Sequence, residues 1–453
     1  MKKILFITTY KARDFEGNGL IGYYLKKNYG IDVIYSSGYK ILNKIVLHKP
    51  VAIVFDHLTW NHKVELLKNC KALGLKTIYY PTEGYYPDMT AFDYGIGLRF
   101  IDNPRMTKYL LWGSDMMGRV KCLPVFANDL ESFVITGSAR FDYYLNEHLK
   151  KLVVPKIEFL QKHGVEGNPA IITYMSTSPY QGYTFEDFRS RYKKNAGYAE
   201  DEIIMHYDDQ QKLFVNHVNI IRKLAIELGP QYYFFYKTHP AETYFDNYKK
   251  YFGDLPNVQL IINEDVKPFI FHSDLVLQRN CTTAVESWMM GKKVIQIEDD
   301  KYVAETYNEH KTNSVICKNY DEVKLEVEAV RTSTGKRDVS NDPFLLGKFG
   351  YLDGMSHERV GNEIGKIITS MTESEEKDIL IKIQQYKSSQ DKLPQNRVKD
   401  LLGISRTRTL HPVSIMRVIK QKINPPKKNK KGEVDVQVQA VSELYDKLES
   451  IGI

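Results

Sequence analysis

The sequence predicts an α/β protein of two doubly wound domains followed by a basic helical tail. Three observations lead there. Short apolar runs of strand length alternate with segments of helical period, and the alternation occurs in both halves. The 453 residues give room for two such domains and an appendage. A hydrophobic fraction of 43% and a charged fraction of 26% are those of a globular chain, and no apolar run approaches a membrane span.

The opening MKKILFITTY starts like a signal peptide, but its apolar run is short. Lys11, Arg13, Asp14 and Glu16 follow at once, so Lys3–Thr9 reads as a buried first strand. Gly17-Asn18-Gly19-Leu20-Ile21-Gly22 has the G-x-G-x-x-G spacing of a dinucleotide turn. KARDFE separates it from the strand, and no acidic residue stands at a strand end about twenty positions on. It reads instead as a loop entering a helix at Leu20–Lys27. Strands Asp32–Tyr35, Val51–Phe55 and Thr77–Tyr80 then alternate with helices Tyr39–His48 and Asn61–Leu73. Lys108–Gly113 and Phe133–Phe141 supply two more strands, completing a first domain over 1–150.

The second domain, 155–350, opens with the strand Ala170–Met175. Ser176-Thr177-Ser178-Pro179-Tyr180 follows, and its hydroxyls suit either a phosphate-facing loop or a plain polar turn. Phe185–Glu202 reads as an inserted excursion and Asp209–Leu228 as an amphipathic helix. Tyr232–Tyr236 is a wholly apolar or aromatic run, as in strands buried on both faces. It ends in Lys237-Thr238-His239-Pro240, with two possible cations at a strand's carboxyl end, where open α/β sheets bind ligands. After a polar spacer, Leu275–Leu277 is a strand core, Asn280 an N-cap, and Thr282 and Thr283 lie in a first helical turn. Val285, Trp288 and Met289 face inward, and Gly291 is the expected stop. Val294–Ile297 and Asn313–Cys317 are the last strands, with Asp321–Val330 as a helix. A helix start with free N–H groups and two hydroxyls suits an anion, and Glu286, one turn further in, suits ribose hydroxyls.

In this order, His239-Pro240, Ser273-Asp274, Asn280-Cys281-Thr282-Thr283, Ala284-x-Glu286 and Gly291-Lys292-x-x-Ile295 resemble the nucleotide-binding half of GT-B glycosyltransferases. The group they resemble most is the bacterial surface-carbohydrate (capsule and lipopolysaccharide) biosynthesis proteins. These are similar to transferases that use CMP-activated Kdo or nonulosonic acids such as pseudaminic acid, and more distantly to CDP-glycerol glycerophosphotransferases. The resemblance covers roughly residues 1–370 and is closest over 232–298. It implies a GT-B-like fold whose two domains face a cleft, and a metal-independent transferase acting on a nucleotide sugar, CMP-linked by analogy. Ser176, Thr177, Lys237, His239, Asn280, Thr282, Thr283 and Glu286 would bind the nucleotide, with His239 also acting in catalysis.

The first domain carries the rest of that pattern more loosely. Arg13, Asp14 and Glu16 match an Arg-acid-x-acid signature; they line the cleft or are solvated loop charges. Glu83-Gly84 matches a Glu-Gly at a strand's carboxyl end. Glu83 is there the candidate base or nucleophile, with Asp14 second, or the pair is a surface turn. Gly137-x-x-Arg140-Phe141-Asp142 also matches; Arg140 and Asp142 pair at the domain edge, or Arg140 binds a sugar carboxylate. Phe349–Gly354, Ser356 and Arg359 resemble the closing segment, so 351–372 should return to the first domain.

Other classes find less support. Cys70, Cys122, Cys281 and Cys317 are scattered, and Asp208 and Asp209 lack D-x-D spacing, so no metal or cofactor is expected. Within the tail, 373–453, Leu401–Gly432 holds nine Lys/Arg and no Asp or Glu, against +7 for the whole chain. The basicity is therefore local, and nucleic acid is not a partner the fold implies. Val413–Ile423 is a basic amphipathic helix that lies on an anionic membrane or packs on the core. Ala440–Ile451 is a short final helix suited to a partner contact. The expected protein is cytoplasmic, peripheral on the inner membrane face, and transfers a sugar to a glycan or glycolipid acceptor. A CDP-polyol phosphotransferase or sugar-nucleotide epimerase on the same scaffold is the alternative. An NAD-dependent oxidoreductase rests on Gly17–Gly22 alone.

Overall fold

The computed structural model describes residues 2–9, 11–37, 41–59, 61–84, 89–98, 105–177, 183–196, 199–239, 242, 244–298, 313–332, 337–392 and 438–453. The basic stretch 401–432, with its helix Val413–Ile423, lies outside them, as do Ser178–Tyr180 and Pro240. The chain forms two compact units, Met1–Leu149 with Pro343–Ile453, and Lys150–Asp342. No helix among the described residues is long and apolar enough to cross a membrane.

The first unit holds six strands: β1 (Lys3–Ile7), β2 (Asp32–Ser36), β3 (Ala52–Phe55), β4 (Lys76–Tyr79), β5 (Lys108–Leu111) and β6 (Phe133–Ile135). They lie in the order β2-β1-β3-β4-β5-β6, and every pairing is parallel. The order reverses between β1 and β3, so their carboxyl ends are the topological switch point. The strand expected over Phe133–Phe141 stops at Ile135, and Ala139–Phe141 is a 3₁₀ turn.

The first helix runs Lys11–Tyr29, so the G-x-G-x-x-G spacing lies inside a helix and not in a loop before it. Its glycines are points of close approach. A Cβ at Gly17 would sit 2.9 Å from the Arg140 backbone nitrogen, at Gly19 2.3 Å from a Leu444 methyl, and at Gly22 1.8 Å from the Tyr35 hydroxyl. Each glycine costs helix propensity of about 1 kcal/mol relative to alanine. Packing that only glycine permits offsets that cost.

The closing helix Ser356–Thr369 packs on the same first helix. Gly361 and Gly365 lie against the rings of Tyr24 and Tyr29, and both hydroxyls donate to Asn362 Oδ1, at 3.0 and 2.8 Å. Asp142 caps its start, accepting from the backbone N–H groups of Ser356 (3.1 Å) and His357 (2.7 Å) and from His357 Nδ1 (2.8 Å). The helix N-terminus is therefore a partner of Asp142. Pro343–Phe349, expected at the end of the second domain, belongs to the first unit, where Lys348 pairs with Asp115 at 2.9 Å. The final helix, Val438–Ser450, packs within the first unit. Leu448 is buried, Tyr445 meets the Tyr35 hydroxyl at 3.2 Å, and Tyr23 donates to the Ile453 carbonyl at 2.8 Å.

The second unit holds β7 (Ala170–Met175), β8 (Tyr232–Lys237), β9 (Val258–Ile261), β10 (Leu275–Gln278), β11 (Val294–Ile297) and β12 (Val315–Cys317). Their order is β12-β11-β10-β7-β8-β9, all pairs parallel, with the switch point between β7 and β10. β9 and the helix Lys267–His272 occupy the stretch read as a polar spacer. The long helix begins at Glu200, earlier than Asp209, and stops at Gly229 with φ +62°. Asn257 Nδ2 satisfies the carbonyls of Ala225, Gly229 and Tyr232 just there. Aromatic rings cluster within the core, with Tyr236 packed on Tyr174, Tyr248 and Phe252 at ring distances of 4.8, 5.0 and 5.3 Å.

Candidate functional site

In the second sheet β10, β7 and β8 are neighbours, so the loops that leave them stand side by side at the carboxyl edge. Gln278, Met175 and Lys237 are aligned across the three strands. The loop after β10 is tightly held. Gln278 Nε2 donates to Gln296 Oε1 at 2.7 Å, and the backbone N–H groups of Asn280 and Cys281 donate to Gln296 Oε1 (3.1 Å) and Gln278 Oε1 (2.7 Å). Asn280 takes φ +51°, a left-handed conformation that asparagine tolerates. It is not the helix cap: Thr282 precedes Thr283, the first residue of the helix Thr283–Met289. The N–H groups of Ala284 and Val285 turn back onto the carbonyls of Cys281 and Thr282. The N–H groups of Thr282 and Thr283 are left without an acceptor among the described residues. The Thr283 hydroxyl meets Cys281 Sγ at 2.8 Å, and Glu286 is buried one turn on, beside Val285 and Trp288. Gly291 ends the helix at φ +66°, as its sequence position implies.

Lys237 ends β8 and is 6% exposed. Its ammonium makes one hydrogen bond among the described residues, 3.3 Å to the Thr238 carbonyl. An ammonium has three donors. Burial pulls its pKa down, and the negative charge of Asp265, Glu242 and Glu264 partly restores it. His239 follows, half-buried. The Ser176 backbone N–H joins the loop after β7 to the Lys237 carbonyl at 2.9 Å, and Thr177 is half-buried beside it. Under this rim His217, on the long helix, holds the Tyr174 hydroxyl at 2.6 Å through Nδ1. Burial, with the Arg279 charge second, pushes the His217 pKa down to about 3, so the imidazole is neutral.

The structure brings Ser176, Thr177, Lys237, His239, Asn280, Thr282 and Thr283 to one edge of the second unit. Glu83, Asp14, Arg13 and Arg140 belong to the first unit. Asp14 is not on a loop: it is buried in the first turn of the helix Lys11–Tyr29. Arg13 is helical too, and its side chain lies outside the described residues. Glu83 is exposed in the loop after β4. That loop is fixed on Trp112, whose indole N–H donates to the Pro81 carbonyl at 2.7 Å. A Cβ at Gly84 would lie 2.7 Å from the same indole. Arg140 is half-buried on the 3₁₀ turn, its guanidinium 5.4 Å from the Phe141 ring.

Sequence reasoning missed a group at the switch point of the first sheet. Asp56 and His57 directly follow β3, Thr9 closely follows β1, and Lys63 projects from the helix Asn61–Ala72. Lys63 and Thr9 each donate to an oxygen of the buried Asp56 carboxylate. Lys63 Nζ also reaches Thr9 Oγ1 at 3.1 Å and His57 Nε2 at 2.7 Å, and His57 Nδ1 meets Thr59 Oγ1 at 2.6 Å. Burial raises the Asp56 pKa, but Lys63, His57 and the hydrogen bonds outweigh it and leave the carboxyl below its ordinary value. The available signal was an Asp-His pair after a buried strand, followed by a lysine on the apolar face of the next helix.

No protein-family model matches this chain, and no curated protein matches it in sequence. Solved structures do. A complex of S. aureus MnaA with UDP superposes with a TM-score of 0.52 at 14% identity, covering 82% of this chain and 98% of that one. UDP-GlcNAc 2-epimerase from Methanocaldococcus jannaschii gives 0.51 at 12% identity, over 82% and 100% of the two chains. The same epimerase in complex with UDP-GlcNAc and UDP gives 0.50 at 11% identity, over 82% and 100%. With two six-stranded parallel sheets, each doubly wound, the chain therefore has the two-domain GT-B-like α/β fold of these structures.

Proposed function

We propose that this chain is an enzyme of sugar nucleotides that holds a nucleoside diphosphate at the carboxyl edge of its second sheet and epimerises the attached sugar. The observation that carries the binding half is Lys237. In the first unit the buried Lys63 has acceptors for three donors, in Asp56, Thr9 and His57. The buried Lys237 has one long hydrogen bond among the described residues, and on the same sheet edge the N–H groups of Thr282 and Thr283 have no acceptor among the described residues. A buried cation in that state is completed by an anion. A diphosphate supplies one, with the His239 imidazole as a further donor and Glu286 as the candidate ribose contact. No metal is required to hold the phosphates in this arrangement.

Epimerisation is preferred to transfer because the superposed structures include a UDP-GlcNAc 2-epimerase. For the same reason uridine replaces cytidine as the favoured base. Sugar transfer to a glycan acceptor is the second reading. It is favoured by the Glu83-Gly84 loop, which the Trp112 indole holds rigidly, since a fixed exposed carboxylate suits a general base. In that reading Arg140 meets a sugar carboxylate, and the basic residues 401–432 bring the enzyme to an anionic membrane. One assay separates the two. With UDP-GlcNAc in deuterated water, epimerisation by proton removal gives a second UDP-sugar labelled with deuterium at the inverted carbon. Transfer gives free UDP or, from a CMP-sugar, free CMP. Unlabelled, unreacted UDP-GlcNAc with no release of nucleotide from either donor class refutes both readings.

A further inference from the structure

The sequence singled out His239 and Ser176 but gave no part to the carboxylate that joins them. We propose that Glu242 is a positioning residue of the nucleotide rim: its carboxylate bridges the loops after β7 and β8 and so fixes the place of His239 at that rim. The proposal rests on the nucleotide reading of that edge.

Glu242 is 3% exposed. Its Oε1 accepts from the Ser176 hydroxyl at 2.6 Å and from the His239 backbone N–H at 2.8 Å, and its Oε2 accepts from the Tyr248 hydroxyl. The Glu242 N–H in turn donates to the His239 carbonyl at 2.9 Å. His239 and Glu242 are thus joined by hydrogen bonds in both directions. The His239 backbone N–H is therefore taken by Glu242 and is not a donor for a ligand. Tyr248 anchors the far end of the bridge, packed on Tyr236 at 5.0 Å and on Phe214 at 5.2 Å. The bridge therefore runs from the core, through one carboxylate, to both loops.

Burying a carboxylate among aromatic rings is unfavourable unless donors meet it. Burial raises the Glu242 pKa, and the hydrogen bonds from Ser176, Tyr248 and His239 and the nearby Lys237 charge pull it back. Three donors converging on one side chain from three separate segments is a geometry that packing alone does not require. An apolar side chain would fill the same space without a desolvation cost. What it could not do is hold two loops of different strands in one register.

The test compares E242Q with E242A by calorimetric titration with UDP and by amide hydrogen exchange at His239. The glutamine keeps an acceptor for Ser176 and His239, and the Tyr248 hydroxyl can turn to accept from its amide. Alanine removes all three contacts. E242Q is expected to bind UDP within about threefold of wild type, and E242A about tenfold or more weaker, the loss of roughly one to two hydrogen bonds. The His239 amide should exchange slowly in wild type and E242Q and at least about tenfold faster in E242A. Wild-type affinity in E242A, or an equal loss in E242Q, overturns the proposal while leaving the nucleotide reading intact. Absence of UDP binding by the wild type overturns that reading and this proposal with it. Should E242A fail to fold, Y248F removes one donor only and is expected to weaken UDP by about threefold; unchanged affinity there overturns the proposal.

Discussion

Replacing Lys237 by methionine should strengthen the empty protein and disable it as a binder. Methionine matches the length of the lysine stem and fills the same volume at the end of β8. It removes an ammonium that is 6% exposed and has one hydrogen bond of 3.3 Å among the described residues. A buried polar group left short of partners costs about 1–3 kcal/mol. Relief of even the lower figure raises the melting temperature of a unit the size of Lys150–Asp342 by roughly 2–4 °C. The bound state responds in the opposite sense. A hydrogen bond to a charged group contributes about 1.5–3 kcal/mol, so K237M should bind UDP roughly 10- to 100-fold more weakly. Scanning calorimetry without ligand and titration calorimetry with UDP read the two effects separately. A variant that melts lower than wild type and binds UDP equally well refutes the reasoning, because Lys237 would then be a satisfied structural residue.

The other predictions concern catalysis, pH and packing. H239A should lose UDP affinity and turnover together, whereas E83Q should keep UDP affinity and lose turnover by on the order of 100-fold, the usual loss for a missing base; normal turnover by E83Q in a steady-state assay removes Glu83 from the chemistry. The folded pKa of His217 lies at about 3, below its unfolded value of 6.5. Its contribution to stability is therefore complete above pH 6.5 and declines as pH falls towards 3, by about 1.4 kcal/mol per pH unit. Urea unfolding at pH 7 and pH 5 should show a steeper loss for wild type than for H217Q, and parallel losses would assign the acid sensitivity elsewhere. G22A should destabilise by about 1–3 kcal/mol, because the new methyl lies 1.8 Å from the Tyr35 hydroxyl and its helix propensity does not offset the overlap. UDP binding by G22A should be unchanged, which titration checks.

Much of the second unit was legible because its signals are local. An aromatic run such as Tyr232–Tyr236 has few homes other than a doubly buried strand, and Gly291 sits where a helix must stop with positive φ. Local rules failed where distant residues decide. The helix Lys11–Tyr29 contains three glycines that lower its propensity, and it is helical because Arg140, Tyr35 and Leu444 pack against them. Those partners come from β2, the turn after β6 and the last helix, so no window of sequence contains the reason. Asn280 was a sound cap by residue type, but its backbone N–H is taken by Gln296, and the helix starts later. The apolar stripe of the final helix does not say which surface covers it, and the structure seats it on the first helix of its own chain.

The Asp56 group shows what strand order adds. Its residues were in plain view: an Asp-His pair directly after the buried run Val51–Phe55, and a lysine sharing a helical face with Leu67 and Cys70. A lysine at a core position is a local violation that normally marks either an error or a function. The weight of that signal depends on where β3 lies. At a sheet edge, Asp56 and Lys63 would be an ordinary ion pair at the rim. Between β1 and β4, at the place where the strand order reverses, they stand at the point to which an open α/β sheet directs its ligands. Order within a parallel sheet is set by which crossover packs where, a long-range choice that leaves no trace in strand periodicity. Each unit thus has a buried lysine at the carboxyl edge of its sheet, and the two are in different states. Lys63 is paired directly with Asp56, whereas Lys237 makes one hydrogen bond among the described residues and, on the function proposed above, takes an anion from outside. That difference, more than any single motif, is why the nucleotide is assigned to the second unit and not to the first.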